Sequence, residues 1–576
     1  MENKKLADIF YEIAEYLSID KEPTSRFESN AYEKAGFTIE TLQEPIQEIY
    51  EKHGKEGLMQ LPGIGKGLAE KIEEFIKTGE IKKYNELRKK YPIDLHSLSN
   101  IEGLGIKRAM SLYKALGVKN IEDLKKAVDE KKVRSIPRFG KKSEEAISNA
   151  LKLMEARSNR FLLGHALPIA EQLVLKLDKT DLVKKIEISG SIRRMKETIG
   201  DIDILAISER PEEAIKAFTD FDDVESVVAK GNTKVTVWLK AGISCDLRVI
   251  SPESFASALQ YFTGSKEHNI DVRKIAISKG YKLNEYGLFN KKDVTVKCNN
   301  EADIYNMLGM DYIPPEMRED RGEIKLAQEH RIPKLIELKD IKGDLHMHTN
   351  DSDGQNTLEE MVAAGAKNKL EYIAITNHTK SLKVANGLDE KRFRALFHKI
   401  DLLNDNAKEI YILKGGEVDI LKDGSLDLDK SVLDEMDIII GAVHSGFKMD
   451  RKAMTERIIN AIESGINILA HPTGRLINKR MPYDIDLEEI FEACKKNNTV
   501  LEINSFPDRL DLNDLNIILA LRHNVMFAID TDAHAIEHLK FLKYGIGTAR
   551  RGWLTKNKVI NTMPLNDLKR ILKKKG

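Results

Sequence analysis

Apolar and polar positions change their period twice along the chain. Up to about residue 155 apolar residues recur at helical spacing, from MENKKLADIFYEIAEYL onward, in short runs broken by glycine turns. Three breaks repeat one pattern of apolar residue, tight turn and helix: LPGIGKGLAEKI from Leu61, IEGLGIKRAMSL from Ile101 and IPRFGKKSEEAI from Ile136. From 156 to 260 helical stretches alternate with β-rich runs, KKIEISGS, DIDILAIS, TKVTVWLK and SCDLRVI, and 261–319 mixes helix with short strands. Residues 320–340, DRGEIKLAQEHRIPKLIELKD, are charged and loosely patterned, which predicts a linker. Beyond it seven apolar runs, GDLHMH, YIAITNH, IYILKGGEVDI, DIIIGAVH, INILAHP, VLEINS and VMFAIDTDAH, alternate with helical segments, the pattern of a parallel barrel.

A chain of 576 residues exceeds one hydrophobic core. No apolar run approaches the roughly 18–20 residues of a membrane span, and the N-terminal helix lacks the apolar centre of a signal peptide. Three scattered cysteines, Cys245, Cys298 and Cys494, suggest neither a disulfide framework nor a zinc finger, so a reducing cytoplasm is expected. The formal net charge is zero but unevenly spread. Residues 1–80 hold 10 basic and 17 acidic side chains, a net of −7; residues 81–160 hold 20 and 10, a net of +10. A local basic face is what attraction to phosphate requires, whatever the total.

In the first two repeats Gly63, Gly65 and Lys66, and Gly103, Gly105 and Lys107, form turns whose backbone N–H groups can approach a phosphate at a helix N-terminus. These turns resemble helix-hairpin-helix elements, which hold DNA backbones without reading bases; packing turns are the alternative. The third copy has Arg138 where the others have glycine, and Lys141 beside its turn.

SGSIRRMKETIGDIDIL, from Ser189, joins anion binders to cation binders. In a strand Asp201 and Asp203 share a face while Ile202 and Ile204 point inward, and Asp246 stands in a further apolar strand that could lie adjacent. Three converging carboxylates suit two Mg²⁺ (or Mn²⁺) ions about 3.5–4 Å apart, and Gly190, Ser191 and Arg194 offer an N–H, a hydroxyl and a guanidinium to a triphosphate. G-S-x-R-R followed by G-D-x-D, including Gly200, is the nucleotidyltransferase signature, and its surroundings resemble family X DNA polymerases from about Lys4 to Glu319. The resemblance implies that in YFTGSKEHN Tyr261 and Phe262 pack the sugar, Gly264 lies against it and Asn269 contacts the base edge, with Arg273 on the template side. It also places Lys71 at the Schiff-base lysine of a lyase domain. Two departures stand out. Ser244 replaces an arginine that neighbours the third aspartate in animal repair members, and Glu28 replaces a basic residue of lyase-proficient relatives.

Nine of the fourteen histidines follow residue 340. His346, His348, Asp353, His378, Glu417, His444, His471, Asp532 and His534 each fall at or just after the C-terminal end of a predicted strand, where parallel barrels place their sites. Mixed imidazole and carboxylate ligands suit Mn²⁺, Zn²⁺ or Fe²⁺, two or three ions in all, better than Mg²⁺. HMH…SDG, TNH, HSGF, HPTG and TDAH resemble the PHP phosphoesterases, with all nine ligand positions filled and Asn377 where that family usually has Asp.

The two halves together resemble the microbial family X DNA polymerase with a C-terminal PHP domain. That implies a multidomain chain: a helical lyase-like domain at 1–90, helix-hairpin-helix fingers at 91–155, an α+β nucleotidyltransferase palm at 156–260, a thumb at 261–319, the linker, and a PHP (β/α)7-type barrel at 341–576. It further implies a monomeric, cytoplasmic DNA repair enzyme without membrane contact. Its partners would be gapped or primed DNA and dNTPs, its activities polymerisation and 3'-5' exonuclease, with cleavage at abasic sites as a further one. Two alternatives are a polymerase whose PHP domain is a pyrophosphatase or phosphatase, and a DNA-binding scaffold with inactive sites.

Overall fold

The first change of period marks a change of architecture. A computed structural model describes residues 2–20, 24–42, 45–99, 101, 104–137, 139–158, 160–406 and 409–573. It divides into two compact units, Met1–Asn159 with Leu382–Asn386, and Arg160–Ser381 with Gly387–Gly576. Gly103 and Arg138 lie outside the described residues.

The first unit is helical. Leu6, Phe10, Ile13 and Leu17 recur every three or four positions along the helix Glu2–Ile19 and pack with Ala69, Ile72 and Phe75 from Lys66–Thr78 in one core. Lys66–Thr78 starts after extended Gly65 and stops at left-handed Gly79, whose N–H bonds the Phe75 carbonyl.

The second unit opens with a five-stranded sheet: β1 Lys185–Ile188, β2 Asp201–Ile207, β3 Val224–Lys230, β4 Lys234–Leu239 and β5 Ser244–Val249. Their order is β1-β2-β5-β4-β3, antiparallel except for the central β2–β5 pair. A smaller three-stranded antiparallel sheet follows at 282–296. Residues 320–340 carry more structure than a linker. They include the helix Glu323–Gln328, and Glu323 is buried, accepting the N–H groups of Asp320 and Arg321 and bonding the His268 ring at 2.8 Å.

The last segment winds seven parallel strands in sequence order, β6 Gly343–Met347, β7 Tyr372–Ile375, β8 Tyr411–Asp419, β9 Ile438–Ala442, β10 Ile468–Leu469, β11 Val500–Asn504 and β12 Phe527–Asp530. A bridge from Met347 to Ala533 brings the first strand against the end of the last. These strands are buried on both faces, hence their continuous apolar runs. Within this unit palm and thumb are both joined to the barrel: Arg475 pairs with Glu197 at 2.7 Å and Lys543 with Glu171 at 3.0 Å on the palm side, and Arg550 with Glu316 at 2.7 Å on the thumb side. Among the described residues no helix is long and apolar enough to cross a membrane.

Candidate functional site

Parallel pairing of β2 with β5 sets Asp203 opposite Asp246 and Asp201 opposite Ser244. Alternation buries Ile202 and Ile204 completely and leaves the three acids together on the other face. Burial, then the charges of Asp201 and Asp246, push the Asp203 carboxyl up to about 7. Gly190 opens the short helix Gly190–Arg193 at φ 64, and a Cβ there would overlap the Asp203 carboxylate, so both the turn and the close approach require glycine. Asp246 accepts from Thr236 Oγ1 at 2.6 Å and pairs with Lys234 at 2.9 Å and Arg248 at 2.8 Å. The cation that Ser244 does not provide thus comes from the opposite side of Asp246. A converging all-carboxylate donor set fits hard divalent cations such as Mg²⁺.

The paired arginines divide their work. Arg193 is locked to Glu301 at 2.6 Å and to Thr263 Oγ1. Arg194 donates Nε to Glu319 at 3.0 Å and Nη1 to the Thr263 carbonyl at 2.5 Å. Gly264 follows the helix Phe255–Thr263 at φ 70, and its Cα faces the Arg194 guanidinium. Tyr261 and Phe262 pack edge to face at 5.1 Å, and Arg248 lies over the Phe262 ring at 4.4 Å. The Asn269 amide is engaged by Gln260 and by the Tyr261 carbonyl, and Arg273 Nε bonds the Asn269 carbonyl. Gly200 lies against Arg160, whose guanidinium bonds Thr198. Ser191 is half-buried beside these groups.

In the first unit Gly63 (φ 78), Gly65 and Lys66 form an exposed turn at the start of Lys66–Thr78, and Gly105 (φ 47) and Lys107 are exposed in the second repeat. Lys71 is half-buried and paired with Glu74 at 2.9 Å, while Glu28 is paired with Lys83.

The nine barrel residues converge. Glu417 stands at the centre, 2.8 Å from His378, 2.9 Å from His471, 3.2 Å from His444, 3.4 Å from His346 and 3.5 Å from His348. Asp353 meets His378 and His534 at 3.4 Å and His348 at 3.7 Å; Asp532 meets His348 at 3.2 Å. Among the described residues three groups have metal-ligand spacing: His348 with Asp353, His378 and His534; His346 with His348 and Glu417; and His378 with Glu417 and His444. Burial opposes every charge, yet the facing imidazoles hold Glu417, Asp353 and Asp532 well below the carboxylate range, and those carboxylates raise His346 and His378. His348, penalised first by burial and then by the charges of His534 and His378, falls to about 3. Nitrogens of His346, His348 and His378 and oxygens of Glu417 and Asp532 are buried without a hydrogen-bond partner among the described residues. Unsatisfied buried donor atoms of mixed N and O character, aimed at one another, fit divalent transition metals.

Outside the nine, Glu502 bonds His346 Nδ1 at 2.6 Å and accepts the His471 N–H, and Asp419 bonds His444 Nδ1 at 2.9 Å, fixing ring orientation. The strand end VLEINS and the i+2 position after Glu417 were available signals for both. Arg509 Nε lies 3.7 Å from Asp532. Asn377 bonds the Thr349 N–H, the Thr349 hydroxyl and Ser352, so it braces the loop after β6.

Family models match at 1–81 (helix-hairpin-helix domain), 95–153 (SAM-like helix-hairpin-helix tandem), 258–319 (DNA polymerase beta thumb) and 344–506 (PHP domain). The C-terminal part is 28% identical over 244 residues to a probable phosphatase of Thermoanaerobacter sp., covering 40% of this chain and 94% of that protein. DNA polymerase lambda of Rattus norvegicus is 25% identical over 317 residues, 50% of this chain and 52% of that one. The DNA polymerase/3'-5' exonuclease PolX of Bacillus subtilis is 38% identical over 578 residues, covering 100% of both chains. A palm with converging acids and a histidine-rich barrel, joined in one chain that aligns end to end with that enzyme, belong to the PolX family of DNA polymerase/3'-5' exonucleases.

Proposed function

We propose that the chain fills short gaps in DNA from dNTPs at its palm and hydrolyses 3' ends in its barrel, as a monomer in the cytoplasm. Asp201, Asp203 and Asp246 would hold two Mg²⁺ or Mn²⁺ ions, which when bound supply Lewis-acid stabilisation to a transferring phosphoryl group. Asp246, held by Lys234, Arg248 and Thr236, accepts the proton of the primer 3'-hydroxyl on a carboxylate oxygen. The Gly190 N–H, Ser191 hydroxyl and Arg194 guanidinium donate to the triphosphate. The glycine turns at Gly63 and Gly105 hold DNA phosphates.

The nine barrel residues would hold two or three Mn²⁺, Zn²⁺ or Fe²⁺ ions, which supply hydroxide near neutral pH. Glu502 and Asp419 fix the orientation of His346 and His444, and Arg509 donates to a phosphate oxygen at the rim.

The observation that carries this reading is the register of Asp203 against Asp246 with Gly190 beside them. Primer extension on gapped DNA and degradation of single-stranded 3' ends test it in separate assays. Asp203→Asn is expected to lose extension and keep degradation, and His346→Ala to do the reverse; loss of both in either variant, or of neither, counts against the assignment. A second reading makes the barrel a phosphatase, favoured by its likeness to the probable phosphatase. Hydrolysis of p-nitrophenyl phosphate by wild type with no loss of DNA 3' ends would select it.

A further inference from the structure

A line of alternating charges runs from the nucleotide pocket into the barrel domain. Arg194 donates to Glu319 Oε1, and the same oxygen accepts Arg551 Nη1 at 2.8 Å. Arg551 also donates to the Arg194 carbonyl at 2.8 Å and pairs with Asp514 at 2.7 Å, and Asp514 pairs with Arg321 at 3.1 Å. Arg551 lies in the helix Leu542–Arg551 of the barrel domain, 232 residues from Glu319, and is 4% exposed. Arg551 and Arg194 together hold the Glu319 carboxyl low, at about 2, so it is an anion at every working pH.

That anion creates a difficulty for the palm. A carboxylate 3.0 Å from Arg194 cancels the charge that a triphosphate needs to meet. Lys196, half-exposed, also pairs with Glu319, at the longer distance of 3.7 Å; with Arg551 present the six groups Lys196, Arg194, Glu319, Arg551, Asp514 and Arg321 sum to +2, and without it to +1. The low exposure of Arg194, Glu319 and Arg551 (side chains 11%, 10% and 5%) keeps water from screening the difference. Arg194 Nη2 makes no hydrogen bond among the described residues, so the bonds to Glu319 and Thr263 hold the fork while one nitrogen stays available to phosphate.

We propose that Arg551 is a positioning residue for the polymerase reaction, supplied by the exonuclease domain: it neutralises Glu319 so that Arg194 keeps its charge and orientation for the incoming triphosphate. The barrel domain thereby completes the dNTP pocket as well as carrying its own site. The inference rests on the reading of Arg194 as a triphosphate-binding residue.

Steady-state primer extension by the full chain, with dNTP varied, tests it. Arg551→Gln is expected to raise the dNTP KM about tenfold with kcat within about twofold, and to leave 3'-end degradation unchanged. Adding Glu319→Gln to that variant restores the wild-type sum of +2 and should return KM most of the way to wild type, an outcome a purely structural role would not produce. Lys543→Ala, which cuts another contact between palm and barrel, should leave KM alone. An unchanged KM in Arg551→Gln, or no recovery in the double variant, overturns the proposal. If Arg551→Gln folds poorly, Arg551→Lys, which keeps the charge, must stay within about threefold of wild-type KM or the proposal fails. Arg194→Ala separates the two levels: no rise in its KM sinks the reading of Arg194, whereas a rise there with none in Arg551→Gln sinks the relay alone.

Discussion

The palm and the barrel both gather carboxylates of a kind that could hold cations, but they balance the charge differently. In the palm three acids share one face of the sheet, two on β2 and one on β5, and their counter-charges, Lys234 and Arg248, sit to one side on Asp246. Asp203 is left with burial and two like charges, and its carboxyl rises to about 7. In the barrel three carboxylates interleave with six imidazoles, and the carboxylates there fall well below their usual range. The contrast shows that a strand face gives hard oxygen ligands at the cost of mutual repulsion. A barrel rim draws ligands from six strand ends and can mix in imidazole, which compensates the acids and softens the site.

Metal exchange tests the contrast with the largest effect. After chelation both activities should be lost; Mg²⁺ is expected to restore extension but not 3' degradation, which should return with Mn²⁺, Zn²⁺ or Fe²⁺. Full recovery of degradation by Mg²⁺ alone would erase the proposed difference in donor character.

Gly190→Ala comes next. Its Cβ would meet Asp203 in a left-handed backbone position, so extension should fall on the order of 10–100-fold, a barrier change of about 1.4–2.8 kcal/mol, with degradation unaffected. Equal loss of both activities would show that the palm turn supports the whole unit and not its own site alone.

The smallest effect is on stability. Asp203 has an ordinary value of 3.8 and rises to about 7 in the fold, so the folded state binds the extra proton. Its contribution is therefore fully present below pH 4 and is lost as pH rises through about 7. In chelator, Asp203→Asn should raise the melting temperature by a few degrees at pH 8 and by little at pH 4. Mg²⁺ should stabilise wild type more than the variant. A variant less stable than wild type at pH 8 would show that the like-charge repulsion is not felt.

Much of this was legible in the chain itself. Period-2 alternation put Asp201 and Asp203 on one face, and Asp246 could be placed in a neighbouring strand because its own run is apolar. The barrel ligands could be found because each falls at or just after the C-terminal end of an apolar strand run, a local signal. The helix Glu323–Gln328 within 320–340 was not legible, because the burial of Glu323 depends on His268, 55 residues away, being folded against it.

Local periodicity, turn chemistry and ligand type were therefore determined by the sequence, since they depend on residues within a few positions of one another. Which acid pairs with which cation was decided only by the tertiary structure. Arg248 and Lys234 on Asp246, Glu502 on His346, and Arg551 on Glu319 are contacts made by packing. The physical reason is that Coulomb energy depends on distance and burial, and no spacing along a chain encodes either for groups 156 or 232 residues apart.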